Sequence, residues 1–327
     1  MLKRRLFLAA SATALAMPAL VRPAHARSTT ITVASLLSED KPETRIWRHI
    51  AAAVEEKLPG RFRFNVVTNG ALGGEKEVAE ATRLGSVQAS LSTVSALSGW
   101  VAELQLLDLP FLFKDADHLR RVVSGPLGED YKQKLAQQDF VACGFIDYGA
   151  RHLLAKEPIV RPQQLAGKRI RVIQSPLHTK LWSAYGAQPV GIPITETYNA
   201  LSTGVADAMD LTKSAYAGFK LYEVVPYLTE TGHIRASGLV YFAASFFATL
   251  EAEEQAVLTA AAAEGAQYFN ELIVADEARS METARENGGQ VLQAEEIDRW
   301  RAGAQQVWQD FAPVVGGMVR IEAVAKA

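Results

Sequence analysis

The sequence predicts an α/β fold of two lobes built on open, largely parallel sheets flanked by helices, and three observations predict it. Residues 167–214 read as β-α-β-α-β, the repeating unit of such sheets. The window Glu77–Ala96 can be laid on Glu196–Ala215 so that Gly85 meets Gly204, Thr93 meets Thr212 and Ser95 meets Ser214. Each window is a helix, a glycine stop, a short strand and a hydroxyl-rich strand end, a pattern that short α/β units also share without duplication. Finally, the chain has 327 residues, 49% hydrophobic and 21% charged, which is long enough for two domains and too apolar for disorder.

Residues 1–26 read as an export signal outside the fold. Lys3, Arg4 and Arg5 form a basic head, Leu6–Leu20 an apolar stretch, and Ala24-His25-Ala26 a cleavage site, with cleavage expected near Ala26. Arg4-Arg5-Leu6-Phe7-Leu8 is similar to a twin-arginine signal, with an ordinary secretory signal as the alternative. The apolar run is too short to span a membrane. The expected mature protein is exported and soluble, in the periplasm of a Gram-negative cell. Losing Lys3, Arg4, Arg5 and Arg22, with no acid, takes the formal charge from −2 to −6. An acidic surface argues against a nucleic-acid partner, so an anionic ligand must be caught by a local site.

The elements follow in order. Thr30–Ala34 alternates as a strand. Asp40 and Glu43, with Pro42 between, predict a capped helix start, and Ile46, Ile50, Val54 and Leu58 recur at the helical i+4 spacing. Phe62, Phe64 and Val66 alternate as a second strand, and Glu75–Leu84 reads as a helix stopped by Gly85. Val87–Val94 is a third strand, Leu107–Phe113 a buried apolar segment, and Asp117–Leu135 a helix interrupted near Gly125-Pro126. Val141–Tyr148 is a strand leading to one connection between lobes at Gly149-Ala150-Arg151.

In the central segment Ile170–Ile173 and Val205–Met209 are strands. Ser175-Pro176 offers a capping hydroxyl and a proline for a helix that stops at Gly186. Gln188–Ile192 is a third short strand, followed by a helix from Thr195 to Gly204. Leu221–Tyr227 continues a helix, and Leu239–Ala243 with Ser245–Leu250 crosses back to the first lobe. Thr249 offers a cap for the long helical run Glu251–Asn287, which Gly288-Gly289 ends, and Trp300–Val314 is a closing helix.

If Ile170 and Val172 face one side of their strand, Arg169 and Arg171 face the other. An arginine near the carboxyl end of such a strand points into the crevice where these sheets bind ligands, and Arg171 fits that place better than Arg169. Its planar fork suits a carboxylate held by two hydrogen bonds. A surface salt bridge is the alternative.

GKRIRV at residues 167–172, then YGAQPVGIPITETYNALSTGVADAMD at residues 185–210, resemble the signature of the DctP-type solute-binding proteins of tripartite ATP-independent periplasmic (TRAP) transporters. That signature has a K-[IL]-R-V strand, a G-A-x-P turn and E-x-Y-x-A-L-Q-T-G-x-[VA]-D-[GA], and the resemblance runs more weakly from about Thr30 to about Val319. It implies a two-lobed periplasmic binding protein, type II-like, with one long helix spanning both lobes. Residues 27–148 plus about 237–276 form lobe I in this reading, and 149–236 plus about 277–327 lobe II.

The resemblance also implies that the strand arginine, Arg171, grips the ligand's carboxylate and that a second arginine, Arg151, reaches the ligand. A hinge salt bridge is the alternative for Arg151. Thr93, Ser95, Gln174, Asp210 and Lys213 are candidates from strand ends, and Asn69 and Glu75 from first-lobe turns. The family's D-G-x-E-N-P is replaced here by Asp207-Ala208-Met209-Asp210-Leu211-Thr212, so Leu211 stands where an asparagine helps hold the carboxylate. Lys213 or Thr212 can supply that contact, and Asp210 can accept from ligand hydroxyls, which favours a hydroxylated acid. His178 is expected to face outward from its helix, and His233 to be a structural hydrogen-bonding residue.

The implied function is capture of a small organic acid between two lobes and delivery to TRAP permease subunits by a monomeric protein. The alternatives are a binding protein that feeds a membrane sensor, or an enzyme on the same frame. The enzyme reading has no G-x-S-x-G or G-x-G-x-x-G to rest on. A lone cysteine, Cys143, excludes an internal disulfide framework and a cysteine-cluster metal site, and the histidines show no H-x-H or H-x-x-x-H spacing. No metal, cofactor or catalytic residue is expected.

Overall fold

Each half of the molecule is a β-α-β-α-β unit, and the two have the same strand order. The structure, a computed structural model, describes residues 28–327, so the export segment lies outside the described residues. The first unit runs β1 (Thr29–Ala34), α1 (Pro42–Lys57), β2 (Phe62–Val67), α2 (Glu75–Arg83) and β3 (Ala89–Thr93), followed by a short α3 (Val94–Leu97). A 3-10 turn at Ala102–Asp108, α4 (Ala116–Val123) and α5 (Pro126–Ala136) lead into the long strand β4 (Phe140–Ala155).

The second unit is β5 (Arg169–Val172), α6 (Pro176–Ala184), β6 (Gln188–Gly191), α7 (Ile194–Ser202) and β7 (Ala208–Thr212), followed by α8 (Lys213–Gly218). The chain then makes β8 (Tyr227–Ala243), α9 (Ala244–Phe247), α10 (Ala252–Glu286), β9 (Gln290–Gln293), α11 (Ile297–Val315) and α12 (Met318–Lys326).

All strands join one sheet in the order β2-β1-β3-β8-β4-β7-β5-β6, with β9 alongside β8. Thus β2-β1-β3 at one edge repeats as β6-β5-β7 at the other, each internally parallel. This is the pairing that the laid-together windows anticipate. Gly85 and Gly204, which end the matched helices, both take the left-handed conformation, at φ 80° and 78°.

Between the two parallel edges lie β4 and β8, antiparallel and three times the usual strand length. They carry the chain between the halves, with Gly149 paired to Ala236, and their register shifts between Asp147 and Gly149 and again between Arg151 and Leu153. Such bulges bend a strand where a flat one would stay straight.

The core follows the helical and strand periodicities. Ile31 and Val33 of β1 pack with Ile46, Ile50 and Val54 of α1 and with Phe269 and Ile273 of α10. A second cluster joins Leu104 and Leu107 to Leu177 and Trp182 of α6 and to Trp300 and Val307 of α11. Helix α10 packs on α1, on β4 and on α8, so its 35 residues touch both halves. Among the described residues no helix is long and apolar enough to cross a membrane.

Several local expectations are corrected. Lys41, not Asp40, occupies the α1 cap position; Asp40 accepts from Ser38, and Glu43 turns inward to accept from the Leu36 amide at 3.0 Å. Ser175 stands at the α6 cap, but its hydroxyl is buried without a hydrogen-bond partner. Strand β4 does not stop at Tyr148; it passes through Gly149 to Ala155. Strand β7 lies three residues later than its apolar run suggested, because Ala206 and Asp207 still belong to the turn.

Further on, Leu221–Glu223 is one 3-10 turn, and Tyr227 already begins β8. Ser245–Leu250 contains a helical turn instead of a crossing strand. The cap of α10 is Glu251, whose amide is taken by Glu254 at 3.0 Å, whereas the Thr249 hydroxyl donates to the Phe246 carbonyl.

Candidate functional site

The two matched strand ends, β3 and β7, bring Thr93 and Thr212 to opposite walls of one cavity between the halves. The cavity holds about 640 Å³ of space between atoms, counting its open mouth. Leu36, Glu43, Glu75 and Thr93 line it from the first half, and Arg151, Arg171, Leu211, Thr212 and Phe219 from the second. Tyr148 and Ala236 close it where the long strands cross, and Phe269 and Ile273 of α10 form the back. The halves meet over it: Leu37 lies so close to Gly218 that a Cβ there would come 2.9 Å from Leu37 Cδ2.

Alternation on β5 puts Arg169 and Arg171 on one side of the strand, yet their environments differ. Arg169 is exposed at the strand's start and paired with Asp207, whereas Arg171 is 2% exposed at the cavity wall. Its Nε donates to the Ile192 carbonyl at 2.8 Å, and among the described residues no carboxylate lies within ion-pair distance of it. Burial, then the nearby Arg151, pushes its pKa down to about 10. It is still a cation at neutral pH, held in the interior without an anionic partner among the described residues, an arrangement that is costly unless an anion arrives.

Arg151, on β4 beside β7, lines the same cavity but is already paired. Its Nε donates to Asp210 Oδ2 at 2.5 Å and its Nη2 to the Asp210 carbonyl at 2.8 Å. Burial pulls the Asp210 carboxyl up, but Arg151 and a hydrogen bond from His233 outweigh it and hold the acid well below its usual range. Asp210 therefore cancels Arg151, and it is not part of the cavity lining.

Glu75 opens α2 at the cavity wall and accepts from the Thr93 amide at 2.6 Å. Glu43 is fully desolvated; burial, partly offset by the Leu36 amide and reinforced by Glu75, raises its pKa to about 8, so it carries a proton at neutral pH. Gln174 lies next door, in a narrow side pocket that it shares with Glu75 and Arg171.

The structure thus brings Arg171, Arg151, Thr93 and Glu75 together around one cavity with Gln174 beside it, and does not bring the other candidates there. Lys213 starts α8 and pairs with Glu230 at 2.6 Å. Asn69 sits in an exposed turn in the left-handed conformation, φ 58°. Ser95 is buried behind the wall, where its hydroxyl donates to Asp108. His178 corrects the expectation that it faces outward: it is completely buried, with Nε2 3.2 Å from Ser95 Oγ. His233 is the structural residue expected, between Thr231 at 2.7 Å and Asp210 at 3.2 Å.

The Ser95, His178 and Asp210 grouping is not a nucleophile's relay. Ser95 gives its proton to Asp108, His178 Nδ1 is 3.9 Å from Asp210, and the serine is sealed from the cavity. The residues that sequence reasoning passed over are Glu43, Tyr148, Phe219 and Phe269. An inward glutamate among helix-start residues has no signal of its own, and aromatic residues at helical spacing read as core.

Comparison with known proteins places this geometry. Residues 33–313 match the model of the family described as bacterial extracellular solute-binding protein, family 7. The C4-dicarboxylate-binding periplasmic protein DctP of Shewanella loihica is 28% identical over 294 residues, covering 89% of this chain and 88% of that protein. Among solved structures, a TRAP periplasmic solute-binding protein from Sulfitobacter with bound α-D-taluronate superposes at TM-score 0.86, with 28% identity, covering 92% of this chain and 98% of that one. One from Sulfurospirillum deleyianum with bound succinate does so at TM-score 0.86 and 28% identity, over 91% and 98% of the two chains.

Proposed function

Because the chain belongs to the bacterial extracellular solute-binding proteins, family 7, we propose that it captures a small carboxylate-bearing organic acid between its halves and delivers it to TRAP permease subunits in the membrane. The observation that carries this reading is the state of Arg171: buried, charged, at the cavity wall and without a carboxylate of its own. A carboxylate bound there accepts from the guanidinium in a low-dielectric site, where charge-assisted hydrogen bonds are strongest. Relatives with bound taluronate and succinate support an acid as the ligand.

The reading continues as a clamp. Residues 27–148 with about 237–276 act as lobe I and 149–236 with about 277–327 as lobe II, a division supported by the pairing of Gly149 with Ala236 at the crossing of the long strands. Ligand that touches both lobes stabilises the closed form, and that form docks on the membrane subunits. The protein acts outside the cytoplasm, as a monomer, and without catalytic turnover.

Titration calorimetry over a panel of organic acids tests the central step. At least one small acid is expected to bind, and Arg171→Ala to weaken it about 10- to 100-fold, the loss of a charge-assisted contact. Undiminished binding by the variant, or no acid bound by the parent, overturns the reading.

A further inference from the structure

The cavity that Arg171 faces is apolar over most of its wall. Leu37, Ile194, Leu211, Phe219, Phe269 and Ile273 supply that surface, from both halves and from α10. Several polar groups of the wall are engaged already, whereas the Tyr148 and Thr212 hydroxyls make no hydrogen bond among the described residues. Ser214 Oγ donates to Asp276 at 2.5 Å, Glu43 accepts from the Leu36 amide, Glu75 from the Thr93 amide, and Arg151 is held by Asp210.

A ligand covered in hydroxyls would outnumber those two partners and bury the rest against carbon, where unpaired hydroxyls lose their hydration without return. A second carboxylate would fare worse. Arg151 is neutralised by Asp210 and Lys213 by Glu230, so a charge at the far end meets no free cation.

We propose that the acid this site takes is a monocarboxylate with an apolar body, branched aliphatic or aromatic, and not a sugar acid or a dicarboxylate. The inference rests on the carboxylate reading of Arg171 and adds the chemistry of the rest of the ligand. The carboxylate lies on Arg171, and the body lies against Leu211, Phe219 and Phe269. Glu75 shares the narrow side pocket with Arg171, so a hydroxyl or amino group fits beside the carboxylate.

The test is titration calorimetry on the purified protein with propanoate, butanoate, pentanoate, 4-methylpentanoate and phenylacetate, beside succinate and D-galacturonate. Affinity should rise about fourfold per added methylene until the cavity is full. Succinate and galacturonate should bind at least about 10-fold more weakly than 4-methylpentanoate. Leu211→Asn should weaken 4-methylpentanoate about 10-fold, with its melting temperature followed alongside to show that it folds. If succinate or galacturonate binds more tightly than every apolar acid, this inference is overturned while acid capture by Arg171 stands. If no acid binds, both fall.

Discussion

Arg151 at the cavity wall and Asp210 behind it form a closed pair, the guanidinium donating to both the carboxylate and the main-chain carbonyl of the same residue. Two arginines line the site, yet only one positive charge is left to meet a ligand. Breaking such a pair strands a charge in the interior. Asp210→Asn is therefore expected to lower stability by about 3–5 kcal/mol, read by urea denaturation. The double variant Arg151→Met, Asp210→Leu, which strands nothing, should lose less. A single variant as stable as the parent would contradict the pairing.

Arg171 carries the opposite expectation. It is desolvated without a carboxylate partner among the described residues, so the unliganded protein holds it at a cost. Arg171→Met should raise the stability of the unliganded protein by about 1 kcal/mol or more, while abolishing the rise in melting temperature that ligand gives the parent. Arg171→Lys should not restore tight binding, because an ammonium cannot grip a carboxylate with a planar fork.

Glu43 sets a pH dependence whose sign is unusual for an acid. Its pKa is raised on folding from 4.5 to about 8, so the folded state binds the extra proton between those values. Its contribution to stability is complete below 4.5 and is lost as pH rises to about 8. His152 works the other way: burial lowers it from 6.5 to about 3, so stability is lost as pH falls through that window. Between pH 6.5 and 8 the Glu43 slope is thus unopposed by His152. Thermal unfolding should show stability declining across that interval, and Glu43→Gln should flatten the decline. Ligand affinity should also fall above pH 8, where an ionised Glu43 repels the bound acid.

Gly149 has φ 92°, and a Cβ there would run into the Glu277 carboxylate. Gly149→Ala should cost about 1–3 kcal/mol, from backbone strain, because the Glu277 carboxylate ends a flexible side chain that can move aside. Adding Glu277→Ala should recover little of it, so the double variant stays near the single in denaturant midpoint.

The parts of the fold legible in the sequence were those with a strong period. Ile46, Ile50 and Val54 gave α1, and the alternation in Phe62–Val66 gave β2. The long strands read short because Gly149 and Gly232 look like breakers, whereas here they are absorbed by bulges and pairing within β4 and β8. β9 and α12 were missed: the first is four residues long, and the second follows a Gly316-Gly317 turn that reads as an ending.

At the site, Arg171 could be placed from strand alternation and the G-K-R-I-R-V segment. Asp210 could not, because shifting β7 by three residues moved it from a strand end into the strand, against Arg151. Nor could the engagement of Lys213 by Glu230, which depends on β8 returning past α8.

The helix α10 lies along α1, β4 and α8, and at about 1.5 Å per residue it is a rod of roughly 50 Å. In the proposed clamp, a rod seated on both halves would keep their far ends at a set separation while the cavity's mouth widens or narrows. Labels near Ala252 and Glu286 would then serve as an internal ruler, constant through a loading cycle. Labels across the mouth, on the Leu37 loop and at the Gly218 end of α8, would record the movement itself.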